Sequence, residues 1–278
     1  MKNKSKRVIL IIPLIVAALL TFFNINIVIP ISNANSTQKI IYIYNNDLII
    51  ANDYKNFLEM KGYSVSLLNM SNLVGTSLSS YDLIIIGSDT GYGYTWGTSD
   101  QRLVIRSTNK PIIGLCYGGA SYFENISNNI GWGKTWSGTD DEIKTMDIPG
   151  LLYNSPNKFQ IYTHYILYSK NVAMVSVYIN ANSSSITLIG REKLNNKHYP
   201  VIMENSTYVL WGFEEGPSNM TYNGTSLFNN IVYYLTYTPA INTTYIPGFE
   251  LIPVIITTFT IILIISILRK RIIKKNNL

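Results

Sequence analysis

The chain has 278 residues, of which 47% are hydrophobic and only 14% are charged. Its formal net charge is +6, but nine of the 22 basic residues lie within the first seven and the last ten positions. The 13 that remain face 16 acidic residues, so the central part carries a net charge of about −3. A nucleic-acid-binding domain needs a basic surface on its folded part, so this charge distribution excludes nucleic acid as a partner.

The N-terminal segment has the pattern of a targeting signal. A basic stretch precedes an apolar run from Val8 to Phe23, and small residues near position 34 offer a cleavage site. Residues 1–34 are therefore predicted to be a signal peptide. An uncleaved membrane anchor is the alternative, because apolar residues resume at Ile27.

The first half of the region 38–237 alternates strand-like and helix-like segments. Helical patterns fall at 53–61 and 98–108. Near-continuous apolar runs, typical of strands buried on both faces, occur at Lys39–Tyr44, Tyr63–Leu68, Tyr81–Gly87 and Lys110–Cys116. Alternation at such short spacing predicts right-handed βαβ units and a parallel sheet.

The second half consists of closely spaced strand-like runs followed by one helix. The gaps between the runs are too short for helices, which predicts antiparallel pairing. A helical pattern over Ser226–Tyr237 predicts a closing helix. The predicted strands are Ile161–Leu167, Val172–Ile179, Ser185–Gly190, Tyr199–Glu204 and Tyr208–Phe213.

The C-terminal segment predicts attachment to a membrane. After a stalk at 238–250, Leu251–Leu268 is an uncharged run about as long as a spanning helix requires. The basic tail at 269–278 favours the cytoplasmic side of the membrane, so the region 38–237 is expected on the extracellular face. Eight Asn-x-Ser/Thr sequons follow residue 34 and make the chain a candidate glycoprotein.

The sequence Gly114-Leu-Cys-Tyr-Gly118 has the form of a nucleophile elbow. In such an elbow the nucleophile sits on a strained turn between a strand and a helix, and flanking glycines avoid clashes as the chain reverses. The helix N-terminus favours a thiolate and offers amides to a developing oxyanion. Cys116, the single cysteine of the chain, is therefore the candidate nucleophile.

Together with its surroundings, this elbow resembles that of the class I glutamine amidotransferases, where the elbow cysteine attacks the glutamine side-chain amide. The loop Gly87–Gly93 is similar to the family loop that completes the oxyanion hole. Val209–Gly216 and the helix after it resemble the last strand, catalytic loop and closing helix. The resemblance spans Lys39–Tyr237 and implies a flavodoxin-like, three-layer α/β sandwich.

The chain departs from that family at the general base. The family has a histidine directly after the last strand, where this chain has Phe213-Glu214-Glu215. Without an imidazole there, the thiol lacks its usual base and the leaving amine its proton donor. His198, in a polar turn, or Glu214 would have to assist Cys116; His164 is interpreted as an ordinary strand residue.

A ligand site is predicted in the crevice beside Cys116, because open α/β sheets bind ligands at the carboxyl ends of their strands. The segment Gly131–Glu142, which follows the elbow helix and is rich in glycine, tryptophan and acidic residues, either forms a wall of this crevice or folds into a tight aromatic turn. No metal-binding set of residues is evident, and no cofactor is expected. The candidate ligand-binding residues are Asp89, Gly91, Gly93, Tyr117, Gly118, Trp132, Trp136 and Glu215.

The sequence Pro247-Gly248-Phe249 precedes the predicted span and basic tail. This tripartite arrangement resembles the PGF-CTERM sorting signals of archaeal surface proteins. The resemblance implies an archaeal cell-surface protein whose C-terminal helix is removed by an archaeosortase and replaced with a lipid anchor. A plain transmembrane anchor is the alternative.

Three functions are compatible with these features. The leading hypothesis is a degenerate amidotransferase-like domain that binds a small molecule, peptide or glycan at the elbow crevice. A cysteine-dependent amide or peptide hydrolase using Cys116 is the alternative, and a surface-layer interaction module is the third. Glutamine amidotransfer itself is not expected, because that reaction needs cytosolic glutamine, a synthase partner and the missing histidine.

Overall fold

The computed structural model describes residues 37–148, 150–179 and 184–237. The predicted signal segment, stalk, membrane span and basic tail lie outside these residues, and so does the Pro-Gly-Phe sequence. Among the described residues, no helix is both long and apolar enough to cross a membrane.

The described part of the chain contains four α-helices and fourteen β-strands. The helices are α1 (Leu48–Met60), α2 (Ser99–Arg106), α3 (Cys116–Asn125) and α4 (Tyr222–Tyr237). The strands of the first half are β1 (Lys39–Tyr44), β2 (Ser64–Asn69), β3 (Leu83–Ile86), β4 (Gly91–Tyr92), β5 (Thr95–Trp96) and β6 (Ile112–Leu115). Those of the second half are β7 (Thr135–Asp140), β8 (Glu142–Thr145), β9 (His164–Ile166), β10 (Val172–Tyr178), β11 (Ile186–Arg191), β12 (His198–Tyr199), β13 (Val201–Glu204) and β14 (Tyr208–Trp211).

The main sheet joins a parallel half to an antiparallel half. Within the described residues its nine strands follow the order β2-β1-β3-β6-β14-β13-β11-β8-β9. The pairs from β2 to β14 are parallel, and the pairs from β14 to β9 are antiparallel. The predicted parallel sheet of the first half and the predicted antiparallel pairing of the second half are therefore confirmed, and β14 is the strand that connects them.

Helices cover both faces of the parallel half. Ile40 and Tyr42 point to the layer that contains α1 and α4, and Ile41 and Ile43 point to the layer that contains α2 and α3. All four side chains are buried. This is why β1 is a continuous apolar run, and the predicted three-layer α/β sandwich is confirmed.

Two smaller sheets add to this sandwich. The strands β12, β10 and β7 form an antiparallel sheet, and β4 and β5 form a short hairpin. The predicted strand Tyr199–Glu204 is divided at Pro200, so β12 lies in the small sheet and β13 in the main one. Proline has no N–H to donate to a ladder, and the chain changes sheets at this residue.

Several element boundaries differ from the predicted ones. Helix α1 begins at Leu48 rather than near Asp53, because the Asp47 side chain accepts a hydrogen bond from the Ile50 amide (2.9 Å) and caps the helix. Strand β7 lies in the segment Gly131–Glu142, which was expected to be a tight turn or a pocket wall, and β8 begins at the last residue of that segment and was not predicted. Both strands are largely polar, and β7 also contains Gly138, so they lack the apolar pattern of the other strands.

Candidate functional site

Cys116 lies where strand β6 passes into helix α3. It is the first residue of the helix, its backbone has a φ of +40°, and its side chain is buried. A positive φ is uncommon for a residue with a Cβ atom, and it marks a strained turn that the surrounding structure must hold in place.

Three glycines of the elbow, Gly114, Gly118 and Gly119, allow the close packing that holds this turn. A Cβ atom on Gly119 would lie 2.2 Å from the carbonyl carbon of Gly114, so strand and helix touch through their backbones. A Cβ atom on Gly118 would lie 2.0 Å from the Gly87 carbonyl oxygen, which belongs to the loop after β3. The elbow is therefore fixed from both sides by backbone contacts.

The loop after β3 leads into the β4–β5 hairpin, which places Tyr92 beside the elbow. Thr90 Oγ1 donates a hydrogen bond to the Gly87 carbonyl (2.8 Å) and accepts one from Trp96 Nε1 (2.8 Å). Gly91 lies against Trp96 with no room for a side chain, and Gly93 has a φ of +65°. The predicted residues Gly91 and Gly93 thus shape the hairpin.

Asp89 binds backbone amides of its own chain. One carboxylate oxygen, Oδ2, accepts hydrogen bonds from the amides of Asn45, Asn46 and Asp47 at 3.0, 2.6 and 2.6 Å. These amides follow β1 and lead into α1. Asp89 therefore ties the ends of β1 and β3 together, an arrangement that the sequence alone does not reveal.

The two glutamates after β14 have different surroundings. Glu215 is engaged, because Oε1 lies 3.1 Å from Lys170 Nζ and Oε2 accepts a hydrogen bond from Asn219 Nδ2 (2.6 Å). Its carbonyl oxygen accepts a hydrogen bond from Tyr168 Oη (3.1 Å). Glu214 is half-buried, and within the described residues its carboxylate has no hydrogen bond or ion pair.

Glu214 is the acidic residue whose charge raises the pKa of the Cys116 thiol. Burial raises the pKa of the Cys116 thiol well above its usual value, and the charge of Glu214 raises it further. The backbone amides of Tyr117 and Val175 lower this pKa, but by less. The thiol is therefore neutral at physiological pH, and a neutral thiol is a poor nucleophile.

Glu214 itself has a raised pKa. Burial is the main cause, and the charges of Glu215 and Asp47 add to it. The carboxylates of Asp47, which follows β1, and of Glu214 and Glu215, which follow β14, thus repel one another near the elbow. The family that this chain resembles has a histidine directly after the last strand, and this chain has Glu214 there. Glu214 carries a negative charge at that position, whereas a histidine is a base that could become cationic.

The two histidines lie on other parts of the sheets. The Nδ1 atom of His198 is 3.4 Å from Glu192 Oε1, and its ring packs against Trp136 and Tyr178 with centroids 6.0 and 5.7 Å apart. The Nδ1 atom of His164, on the edge strand β9, is 3.5 Å from a carboxylate oxygen of Glu142. Neither imidazole contributes to the pKa of Cys116 in the described part of the chain.

An aromatic trio lies next to the elbow. The ring centroids of Tyr92, Tyr117 and Trp132 are 4.9–6.0 Å apart, and Tyr92 is 67% exposed. Trp136, by contrast, lies in β7 beside His198. Sequence reasoning included Tyr117 and Trp132 but missed Tyr92, whose signal is its place between the two hairpin glycines.

Glu124 positions the tryptophan of this trio. Its Oε2 atom accepts a hydrogen bond from the Gly133 amide (2.8 Å), and a Cβ atom on Gly131 would lie 2.6 Å from the Glu124 backbone. The Gly131-Trp132-Gly133 turn therefore folds directly over the end of α3. This contact explains why glycines flank the tryptophan.

We name the exposed parts of Tyr92, Tyr117, Trp132 and Glu214 the elbow surface. Burial raises the pKa of Tyr117, and the charges of Cys116, Glu214 and Tyr92 raise it further. Tyr117 lies two residues after Leu115, and Glu214 lies three residues after Trp211, the strand partner of Leu115. Tyr117 and Glu214 therefore lie at the same edge of the sheet. Within the described residues, no group of three or more His, Cys, Asp or Glu side chains is arranged to hold a metal ion.

No protein-family model matches the chain, and no curated protein sequence matches it. Among solved structures it is similar to PurLQS from Thermotoga maritima, with a TM-score of 0.49 and 15% identity over 72% of this chain and 100% of that one. A putative GMP synthase subunit from Thermoplasma acidophilum has a TM-score of 0.43 and 11% identity, over 73% and 96% of the two chains. A glutamine amidotransferase from Thermotoga maritima has a TM-score of 0.37 and 10% identity, over 64% and 76%. The strand order and the two helical layers show a three-layer α/β sandwich, with the elbow at the end of its strand β6.

Proposed function

We propose that this chain is a degenerate amidotransferase-like domain that binds a small molecule or peptide at the elbow surface and does not use Cys116 as a nucleophile. The buried thiol beside the Glu214 carboxylate carries this proposal. A nucleophilic cysteine needs a lowered pKa and access to its substrate, whereas this thiol has a raised pKa and no exposed surface.

The remaining geometry favours binding over chemistry. The elbow surface lies at the carboxyl ends of parallel strands, where open α/β sheets place their ligands. It combines partly exposed aromatic rings with one carboxylate that has no partner in the described residues. Binding sites typically combine aromatic contact area with a few placed polar groups.

The location of this site is proposed from the terminal sequences. The apolar run at Leu251–Leu268 and the basic tail support a membrane anchor with the domain on the extracellular face. The Pro247-Gly248-Phe249 sequence supports processing by an archaeosortase. The ligand would then be an extracellular compound or a component of the cell surface.

Alkylation of the full-length chain tests whether Cys116 is a nucleophile. Iodoacetamide at about pH 7.5 should modify the native protein roughly a hundredfold more slowly than the urea-unfolded protein, as measured by intact mass. The Cys116→Ala variant controls for modification elsewhere. Rapid alkylation of the native chain, at the rate of a free thiolate, would support a hydrolase and overturn the proposal.

A further inference from the structure

We propose that the elbow surface selects ligands that carry an organic ammonium group, such as a quaternary or primary amine. This inference rests on the proposed function, since it names the ligand class of the same site. It follows from two independent features, which are the aromatic trio and the unpaired carboxylate beside it.

The aromatic trio can supply cation–π contacts. The face of a Trp or Tyr ring attracts a cation that lies within about 6 Å of its centroid, and several rings together recognise quaternary ammonium groups. Tyr92 presents 67% of its surface to solvent at the edge of the trio. The Glu124 carboxylate holds the turn that carries Trp132 (2.8 Å to the Gly133 amide), so this ring is placed before any ligand arrives.

The carboxylates around the elbow leave one negative charge without a partner. Asp89 is occupied by three backbone amides, and Asp53 accepts a hydrogen bond from the Ser218 amide (2.8 Å). Glu215 is paired with Lys170. In the part of the chain that the structure describes, only Glu214 among these carboxylates has neither a hydrogen bond nor an ion pair.

A cation is the group that this arrangement accommodates at the lowest electrostatic cost. Asp47 and Glu215 repel the charge on Glu214. Glu214 follows β14 and Tyr117 follows β6, and these strands pair in parallel with Trp211 opposite Leu115, so the carboxylate and the aromatic trio lie at the same edge of the sheet. The one lysine in contact with these carboxylates among the described residues, Lys170, is already bound to Glu215. A carboxylate or phosphate ligand would add to the repulsion, whereas an ammonium group would relieve it.

Choline and its neutral isostere 3,3-dimethylbutan-1-ol provide a direct test, because they differ in charge and not in shape. Binding to the full-length protein in mild detergent is followed by isothermal titration calorimetry at low salt. We expect choline to bind about tenfold more tightly than the alcohol. Glu214→Gln and Tyr92→Ala should each weaken choline binding by about tenfold, whereas Glu59→Gln, on the exposed side of α1, should leave it unchanged.

The outcomes separate this inference from the proposed function. Equal binding of choline and the alcohol would overturn the selection for cations and leave the elbow surface as a binding site. Absence of choline binding would also overturn it, while the alkylation experiment judges the proposed function independently. Choline binding that is unaffected by Glu214→Gln and Tyr92→Ala would show that the cation binds elsewhere, and would overturn the assignment to this surface.

Discussion

Replacing Gly119 by alanine would place a methyl group between helix α3 and strand β6. The new Cβ atom would lie 2.2 Å from the carbonyl carbon of Gly114 and 2.4 Å from its Cα atom. Ordinary van der Waals contact begins at 3.4 Å, so the helix would have to move away from the strand by about 1.2 Å. Because the obstructing atoms belong to the backbone of a central strand, no side-chain rotation can relieve the clash.

Two opposing effects set the loss of stability in Gly119→Ala. Overpacking a core typically costs about 1–3 kcal/mol, and more where the obstruction is rigid. Alanine is favoured over glycine within a helix by about 1 kcal/mol, which offsets part of that cost. We therefore expect Gly119→Ala to lower the free energy of unfolding by about 2 kcal/mol, which corresponds to a drop in Tm of about 4–8 °C for a domain of this size.

Urea unfolding of the full-length chain, followed by tryptophan fluorescence, measures this loss, since Trp96 and Trp211 are fully buried reporters. Gly138→Ala is the matched control, because a Cβ atom there meets nothing within 4 Å, and its effect should stay within about 0.5 kcal/mol. A Gly119→Ala protein as stable as the control would refute the tight backbone contact at the elbow.

Three further predictions follow from individual side chains. Asp89→Ala should lower the free energy of unfolding by about 2–3 kcal/mol, because three backbone amides lose a charged acceptor. Asp100→Ala, at an exposed position, is the control, and an equal loss of stability in both variants would contradict the proposed link between the ends of β1 and β3. The raised pKa of Glu214 adds stability below the ordinary glutamate pKa, and this stability is lost as the pH rises through the raised value. Glu214→Gln should therefore be more stable than the wild type at about pH 7, with a difference that shrinks towards about pH 4; a constant difference between these pH values would argue against this cause. Asn230→Leu should cost about 3 kcal/mol in urea unfolding, because buried Asn230 bonds the backbone of Asn157 through both its Nδ2 and Oδ1 atoms; a loss below about 1 kcal/mol would show that these groups find other partners.

The sequence was sufficient to predict the parallel half of the fold because its strands are buried on both faces. Ile84, Ile85 and Ile86 of β3, for example, are all fully buried, so the strand is a plain apolar run. The elbow was equally accessible, since glycine spacing around a nucleophile reflects local steric demands. The antiparallel strands β7 and β8 were missed because their side chains are largely polar, and β8 lies near the outer edge of the main sheet.

The site was less predictable, because pairing between distant residues decides which polar groups remain available. Asp89 and Glu215 both looked like crevice residues, yet Asp89 is bound to amides more than 40 positions away and Glu215 to Lys170. Glu214 remains without a partner in the described residues. Adjacent glutamates in the same loop cannot be assigned different roles until the opposing residues are known.

The placement of β14 between β6 and β13 has a consequence for how the chain folds. Ile112 pairs with Tyr208, so the parallel sheet is completed by a segment that leaves the ribosome roughly a hundred residues later than its partner. Until then, the edge of β6 has unpaired backbone groups next to highly apolar strands, which is a template for aggregation. The elbow, which lies at the end of β6, would be assembled only when nearly the whole domain has been synthesised.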